Sequence, residues 1–217
     1  MTPVQRFPIQ PIGHRRGSTH DRLPSGLRDA VTDALVQTEI RLDRHGWDQP
    51  PILTGIFFRR VSATKIHVEI DPSLISPITW REPGTVPAAG AVRPADAAHP
   101  VDVLLRLAGD LAATPMRDWL RDWLHHDGRR LAGFAFCFEG WQAPIRPGYR
   151  HGDLAAAPDS QRTEVRAVTA LDLHGGTWQI IRRRGELHPT VSTSSGTTSA
   201  GRVLTGLHRL NRLARTC

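Results

Sequence analysis

Residues 162 to 184 constrain the fold of this chain more than any other segment. The sequence RTEVRAVTALDLHGGTWQIIRRR contains two strand-length segments separated by Gly175 and Gly176. A two-residue glycine connection is typical of a tight β-hairpin, and strands joined in this way are antiparallel. A turn at these glycines predicts a shared buried face on the two strands. That face contains Leu171, Leu173, Trp178 and Ile180, with Leu173 opposite Trp178 and Leu171 opposite Ile180.

The hairpin ends in three consecutive arginines, whose side chains alternate between the two faces of a strand. The same register continues the buried face to Arg182 and Arg184. It places Arg183 on the opposite face, together with Glu164 and Arg166.

Hydrophobic periodicity predicts the other helices and strands. They are, in order, a helix from 25 to 45, two strands within 50–71, a pair of helices within 100–126, a strand at 129–141 and an amphipathic helix at 200–216. The central pair is either two short helices or one helix kinked at Pro115. Residues 192–199 are predicted to be a polar turn region. Because consecutive strands are joined largely by short turns, the order predicts an α+β fold with an antiparallel sheet of about five strands.

The length of 217 residues indicates one domain with appendages. Residues 1–20 lack periodicity and are predicted to be a flexible basic arm, and residues 21–217 a single domain. The Pro-, Gly- and Ala-rich segments near 82–98 and 143–161 are predicted to be loops.

Charge is concentrated at the two ends of the chain. The net charge of +7 divides into +3 for residues 1–22, −2 for 23–181 and +6 for 182–217. Basic ends either contact nucleic acid or act as solubilising arms, and a nearly neutral body favours the second interpretation. The candidate nucleic-acid contacts are the arginines of the terminal helix: Arg202, Arg209, Arg212 and Arg215.

The sequence excludes several kinds of chemistry. It contains no G-x-G-x-x-G, H-E-x-x-H, G-x-S-x-G or C-x-x-C motif, so it indicates no cofactor and no catalytic residue. The histidines do not occur at a metal-ligand spacing, and no metal site is predicted. Cys137 lies in the apolar run GFAFCF and is predicted to be a core residue.

The best-placed polar residues lie at the ends of predicted strands. They form one candidate binding surface: Glu139, Trp141, Glu164, Arg166 and Arg183. Glutamates and arginines on one sheet either bind a carboxylate or phosphate, act as a catalytic pair, or form cross-strand ion pairs. The third of these interpretations is favoured.

Four segments resemble a group of proteins of no known activity from actinobacteria and their phages and plasmids. They are HGWDQPP (45–51), HPVDVLL (99–105), FAFCFEGW (134–141) and the hairpin at 162–184. The resemblance implies an actinobacterial or mobile-element source, and it implies no activity or ligand. The arginine-rich, lysine-poor composition agrees with a GC-rich genome.

The sequence therefore predicts a cytoplasmic, non-catalytic binding protein with an accessory or regulatory role and a protein partner. No apolar segment reaches the length of a membrane span, so no membrane association is predicted. Two alternatives stay open. The first is nucleic-acid binding through the basic termini, and the second is an enzyme that uses the Glu and Arg residues of the sheet face.

Overall fold

A computed structural model of the chain describes residues 7–8, 25–62, 65–72, 100–142, 162–195 and 201–217. The predicted loops near 82–98 and 143–161 lie outside these residues. So does the predicted N-terminal arm, apart from Phe7–Pro8.

The described residues form four helices and one sheet. The helices are α1 (Ser25–Arg44), α2 (Pro100–Asp110), α3 (Thr114–His125) and α4 (Arg202–Ala214). The strands are β1 (Phe7–Pro8), β2 (Ile52–Arg60), β3 (Ile66–Asp71), β4 (Arg130–Gln142), β5 (Thr163–Asp172), β6 (Gly176–Arg183) and β7 (Thr190–Ser195).

Six strands are antiparallel and follow the order β3-β2-β4-β5-β6-β7. The short strand β1 pairs in parallel with Gly140 and Trp141 of β4, where β2 has ended. This topology confirms the predicted α+β fold with an antiparallel sheet of about five strands. The sixth antiparallel strand, β7, includes residues 192–195, so the prediction of a turn region at 192–199 is wrong for these four residues, and residues 196–199 lie outside the described ones. Thr and Val residues favour extended backbone, and β7 pairs with β6 from Gly176 to Ile181.

Both faces of the sheet are buried, and each supports its own core. Helix α1 covers one face with the stripe Leu27, Val31 and Leu35, which packs on small and β-branched residues of β4, β5 and β6. Helices α2, α3 and α4 cover the other face, where Phe134 and Phe136 of β4 alternate with the residues that face α1. Residues that face α1 alternate along the strand with residues that face the other helices, because each strand contributes side chains to both cores.

Close packing fixes helix α4, which carries the candidate site below. A Cβ atom built on Gly206 would lie 2.7 Å from Leu104 Cγ of α2, so only glycine permits this approach. Leu204, Leu207 and Leu210 fill the core beneath it. The helix is therefore held against the sheet along its length.

The described helices include none that combines the length and apolar character needed to cross a membrane.

Candidate functional site

The β5–β6 hairpin has a different register from the one that the sequence predicts. Leu171 pairs with Thr177 and Ala170 with Trp178, so three residues, 173 to 175, form the turn. The Asp172 carboxylate causes the difference, since its Oδ1 accepts hydrogen bonds of 2.7 Å from the backbone N–H groups of both His174 and Gly176.

The register change moves the faces of β6 relative to β5. Trp178 and Ile180 face α1, whereas Leu171 faces the opposite core. Leu173 lies in the turn and is half-buried, so the prediction that it pairs with Trp178 in the core is wrong. The prediction that Arg183 shares a face with Glu164 and Arg166 is also wrong. Glu164 and Arg166 lie on one face of β5, whereas Arg183 pairs with Val165 and lies on the other.

Two residues of the predicted binding surface are buried as an ion pair beneath α1. Glu139 and Arg166 are cross-strand neighbours that are 5% and 1% exposed. Arg166 donates from Nε at 3.1 Å and from Nη2 at 2.8 Å to Glu139 Oε1. The Trp47 ring covers the guanidinium at 4.7 Å from its centroid. Neither charge is presented to solvent.

A second buried pair continues this network along α1. Glu39 is fully buried and accepts hydrogen bonds from Arg182 Nε at 2.8 Å and Nη2 at 2.6 Å. Asp43, one turn further, lies 3.5 Å from Arg166 Nη1 and 3.7 Å from Arg182 Nη1. Reciprocal pairing of this kind satisfies buried charges and fixes how a helix sits on a sheet. We define these five residues, Glu39, Asp43, Glu139, Arg166 and Arg182, as the α1 ion network.

The other three predicted residues are half-buried or exposed. Trp141 and Glu164 are half-buried cross-strand neighbours, and Glu164 pairs with Arg184. Arg183 lies on the opposite face of the sheet and pairs with Glu186 at 3.1 Å. Of the five predicted residues, Trp141 and Glu164 therefore adjoin the buried pair of Glu139 and Arg166 on one face, and Arg183 lies on the other face.

A cavity of about 500 Å³ lies instead between the β5–β6 turn and the C-terminal half of α4. Its lining is mostly polar and basic: Asp172, Leu173, His174, Gly175, His208, Asn211, Arg212 and Arg215. This volume is within the range of small-molecule binding sites. We call it the hairpin cavity.

The backbone N–H groups of the turn are already used. Leu173 N–H donates to the Ala132 carbonyl at 2.8 Å, and Gly175 N–H donates to the Asp172 carbonyl at 3.2 Å. Those of His174 and Gly176 are bound by Asp172, as described above. The backbone of the turn therefore offers a ligand no unused N–H group. Any attraction of a ligand to the cavity comes from side chains.

Those side chains are mainly cationic. Arg215 donates to the Leu173 carbonyl and so joins α4 to the turn. Across the described part of the chain, no hydrogen bond or ion pair engages the Arg212 side chain, which is exposed and lines the cavity. Burial lowers the pKa of His208 below 6.5, and the charges of Arg212 and Arg215 lower it further.

Asn211 is, with Asp172, one of the two buried polar residues of the described lining. It is 5% exposed, and its Nδ2 donates to the carbonyls of Leu171 at 3.3 Å and Asp172 at 2.9 Å. Its Oδ1 is buried and has no hydrogen-bond partner among the described residues. A buried acceptor without a hydrogen-bond partner destabilises the folded state.

The predicted nucleic-acid residues of α4 differ in their surroundings. Arg202 pairs with Asp102 of α2. Arg212 and Arg215 line the hairpin cavity, while Arg209 is exposed on the same helix and does not line it. The four arginines therefore do not act as one equivalent set.

Sequence reasoning missed Glu39, His174, His208 and Asn211. Two of them had a signal in the hydrophobic pattern. Glu39 continues the stripe of Leu27, Val31 and Leu35 at a spacing of four, and Asn211 follows Leu204 and Leu207 on the apolar face of α4. A polar residue at a core position indicates a buried partner or a site.

Within the described residues, no group of three His, Cys, Asp or Glu side chains is arranged to hold a metal ion. Comparisons of the chain with protein-family models, curated proteins and solved structures found no match. The resemblance to actinobacterial and mobile-element proteins stays a prediction, and function has to be inferred from the hairpin cavity itself.

Proposed function

We propose that this protein is a non-catalytic binding protein that takes a small anionic ligand in the hairpin cavity and acts as an accessory or regulatory factor. The observation that carries the proposal is Arg212, whose exposed guanidinium has no hydrogen bond or ion pair with other described residues and lines a cavity of about 500 Å³. Guanidinium groups bind carboxylate and phosphate through paired, charge-assisted hydrogen bonds.

The rest of the lining supports the same ligand chemistry. Arg215 and the imidazoles of His174 and His208 surround the same space. Asp172 is the acidic lining residue, and its Oδ1 already binds two turn amides. Burial also raises the pKa of this carboxyl above 3.8, although the two amides oppose the shift. The cavity therefore attracts anions more strongly than cations.

Binding rather than catalysis is supported by the state of the other acidic groups. A catalytic carboxylate must reach its substrate, whereas Glu139 is buried and hydrogen-bonded to Arg166, and the half-buried Glu164 is paired with Arg184. They stabilise the fold and leave the hairpin cavity as the place for recognition.

Isothermal titration calorimetry of the full chain with pyrophosphate and with citrate tests the proposal. We expect binding of at least one of these anions, and we expect Arg212→Ala to weaken it at least tenfold because the free guanidinium is lost. Arg209→Ala is the matched control, since Arg209 is exposed on the same helix but lies outside the cavity lining. Equal affinity for the wild type and Arg212→Ala, or absence of binding for both anions, contradicts the proposal.

A second candidate is nucleic-acid binding along α4. Arg209, Arg212 and Arg215 recur every three residues on a helix that contains no acidic residue. Such a strip binds phosphates with a strong dependence on salt. Fluorescence anisotropy with a labelled oligonucleotide separates the two candidates, because a strip requires Arg209→Ala to weaken binding as much as Arg212→Ala does. Deleting residues 1–22 tests the contribution of the predicted basic arm.

A further inference from the structure

Strand β7 forms one edge of the sheet. Among the described strands it pairs with β6 alone, along its whole length. In an antiparallel pair, alternate residues direct their N–H and C=O groups away from the neighbouring strand. Near the end of β7, Arg28 Nη2 donates to the Ser194 carbonyl at 3.0 Å and ties the strand to α1. This leaves residues 190–193 as the part of the edge that can pair with another strand.

The two edges of the sheet differ in their protection against such pairing. Strand β3, at the other edge, carries titratable residues at alternate positions, His67, Glu69 and Asp71. Charged side chains on an edge strand oppose pairing with a further strand. The sequence of β7, TVSTSS, contains no charged residue and no proline. Its Thr and Val residues favour extended backbone, so β7 is the edge that is suited to pairing.

Exposed apolar side chains lie at the same edge. Val191, within β7, is 40% exposed, and Leu187, in the turn before β7, is 85% exposed. The turn is anchored, since the buried Arg182 donates from Nη1 to the carbonyls of Glu186 at 3.0 Å and Leu187 at 2.6 Å. The backbone at Leu187 is therefore held in place while its side chain is exposed. Exposed apolar side chains beside an open edge favour a surface that another chain covers.

The charges near this edge favour a second copy of the same chain as the partner. Arg183 pairs with Glu186 at 3.1 Å. Arg182 is neutralised by Glu39. Two copies of the uncharged β7 can therefore approach without like charges opposite each other in the new strand pair. An antiparallel arrangement about a two-fold axis lets the same row of N–H and C=O groups serve in both copies.

We infer that this protein forms a symmetric dimer, in which β7 pairs antiparallel with β7 of a second copy about a two-fold axis near Val191. The pairing joins two antiparallel sheets into one continuous sheet and covers Val191 with the partner strand. The described lining of the hairpin cavity contains no residue of β7, so the dimer is independent of the ligand proposed above.

Analytical ultracentrifugation of the full chain across a concentration series measures the association. We expect the mass to rise from that of one chain, 24.0 kDa, towards twice this value. Val191→Lys should weaken dimerisation by at least about tenfold, because it places two like charges near each other across the axis. Val61→Lys is the matched control, since Val61 is also exposed but lies between β2 and β3. A monomer at every concentration, or equal association of the wild type and Val191→Lys, overturns the inference.

A charge-swap experiment tests the symmetric arrangement. Val191→Glu alone should also associate poorly, whereas a mixture of Val191→Glu with Val191→Lys should associate, because opposite charges then lie near each other across the axis. Far-ultraviolet circular dichroism should be unchanged in both variants, since the side chain at this position is exposed. A mixture that stays monomeric overturns the antiparallel arrangement about Val191.

Hydrogen exchange of the wild type locates the interface without any substitution. We expect amides of β7 to exchange more slowly as the protein concentration rises, while those of β3, at the other edge, stay unchanged. Concentration-dependent protection of β3 instead of β7 overturns the inference. So does protection of the whole of β7 that is equal at every concentration, because another segment of the same chain then occupies the edge.

Discussion

Burial decides the chemistry of single side chains in this protein. Cys137 faces α1 from the central strand β4, and burial raises the pKa of its thiol to about 12. The nearby Arg166 opposes this shift only in part. A thiol with such a pKa stays protonated at neutral pH and is a poor nucleophile. The prediction that Cys137 is a core residue is confirmed, since it is buried in the core beneath α1.

Thiol labelling measures this difference directly. We expect a disulfide reagent at pH 8 to modify one thiol of the native protein, the half-buried Cys217, and to reach Cys137 only after unfolding. Cys217→Ser should leave the native protein unlabelled. Rapid native labelling of Cys217→Ser would show that the core around β4 opens far more readily than its packing implies.

His208 makes stability depend on pH. Its pKa in the folded protein lies below 6.5, so the unfolded chain takes up a proton more readily than the folded one. The stability that this residue contributes is therefore complete above pH 6.5 and decreases as the pH falls below that value.

We expect His208→Gln to lose less stability between pH 8 and pH 5 than the wild type. Urea unfolding at several pH values measures the difference, and Asp172, His174, Arg212 and Arg215 stay in place around the substituted residue. Parallel pH profiles for the two proteins would show that the folded structure does not lower the pKa of His208.

At the scale of elements, the α1 ion network joins one helix to three strands of the sheet. Glu39 and Asp43 come from α1, Glu139 from β4, Arg166 from β5 and Arg182 from β6. Removing one partner of a buried pair leaves the other charge buried and unpaired. The free-energy cost of this change exceeds the net stabilisation that the intact pair provides.

We expect Glu39→Ala to reduce the free energy of unfolding by about 3–5 kcal/mol because Arg182 is left buried without its carboxylate. Glu164→Ala is the matched control, since it breaks the exposed pair with Arg184 and should cost under about 1 kcal/mol. Chemical denaturation checks both values. The double replacement Glu39→Leu with Arg182→Met should recover most of the loss, and a Glu39→Ala cost as small as the control would mean that the network contributes little.

The elements also show what the sequence can predict. Apolar stripes predicted all four helices, and the helix pair is confirmed as two helices separated by residues 111–113. The strand pattern predicted β2 to β6, but the register of β6 depends on a side chain. Asp172 binds turn amides and converts an expected two-residue turn into a three-residue one.

The sequence pattern could not predict the candidate site, for a related physical reason. Glu139 and Arg166 were selected because they stand at strand ends, yet their exposure depends on α1, which is distant in sequence. The hairpin cavity joins Leu173 and Arg212, residues that tertiary packing alone brings together. Asn211 was visible as a polar residue in an apolar stripe, although the pattern does not reveal which of its atoms lacks a partner.

At the scale of the whole molecule, one sheet supports two cores. Strands β2, β4, β5 and β6 contribute side chains both to the core beneath α1 and to the core beneath α2, α3 and α4. Both cores pack on the same strands, so unfolding of these strands disrupts both cores at once. We therefore expect the described elements to unfold together.

Matched core truncations test this coupling. Leu35 and Leu207 are fully buried on opposite faces, and replacing either with alanine should lower the free energy of unfolding by about 2–5 kcal/mol. In both variants, tryptophan fluorescence and far-ultraviolet circular dichroism should report a single coincident transition. Two separated transitions would show that the α1 side and the helical side behave as independent units.

The walls of the hairpin cavity come from a β-turn and from a helix that begins 27 residues after that turn in the chain. The cavity therefore exists only while the chain is folded, and an unfolded chain has nothing equivalent to offer a ligand. By mass action, any molecule that occupies it raises the melting temperature in proportion to the logarithm of its concentration. Thermal denaturation in the presence of a metabolite collection thus becomes a search for the natural ligand, and it requires no prior assumption about its chemistry.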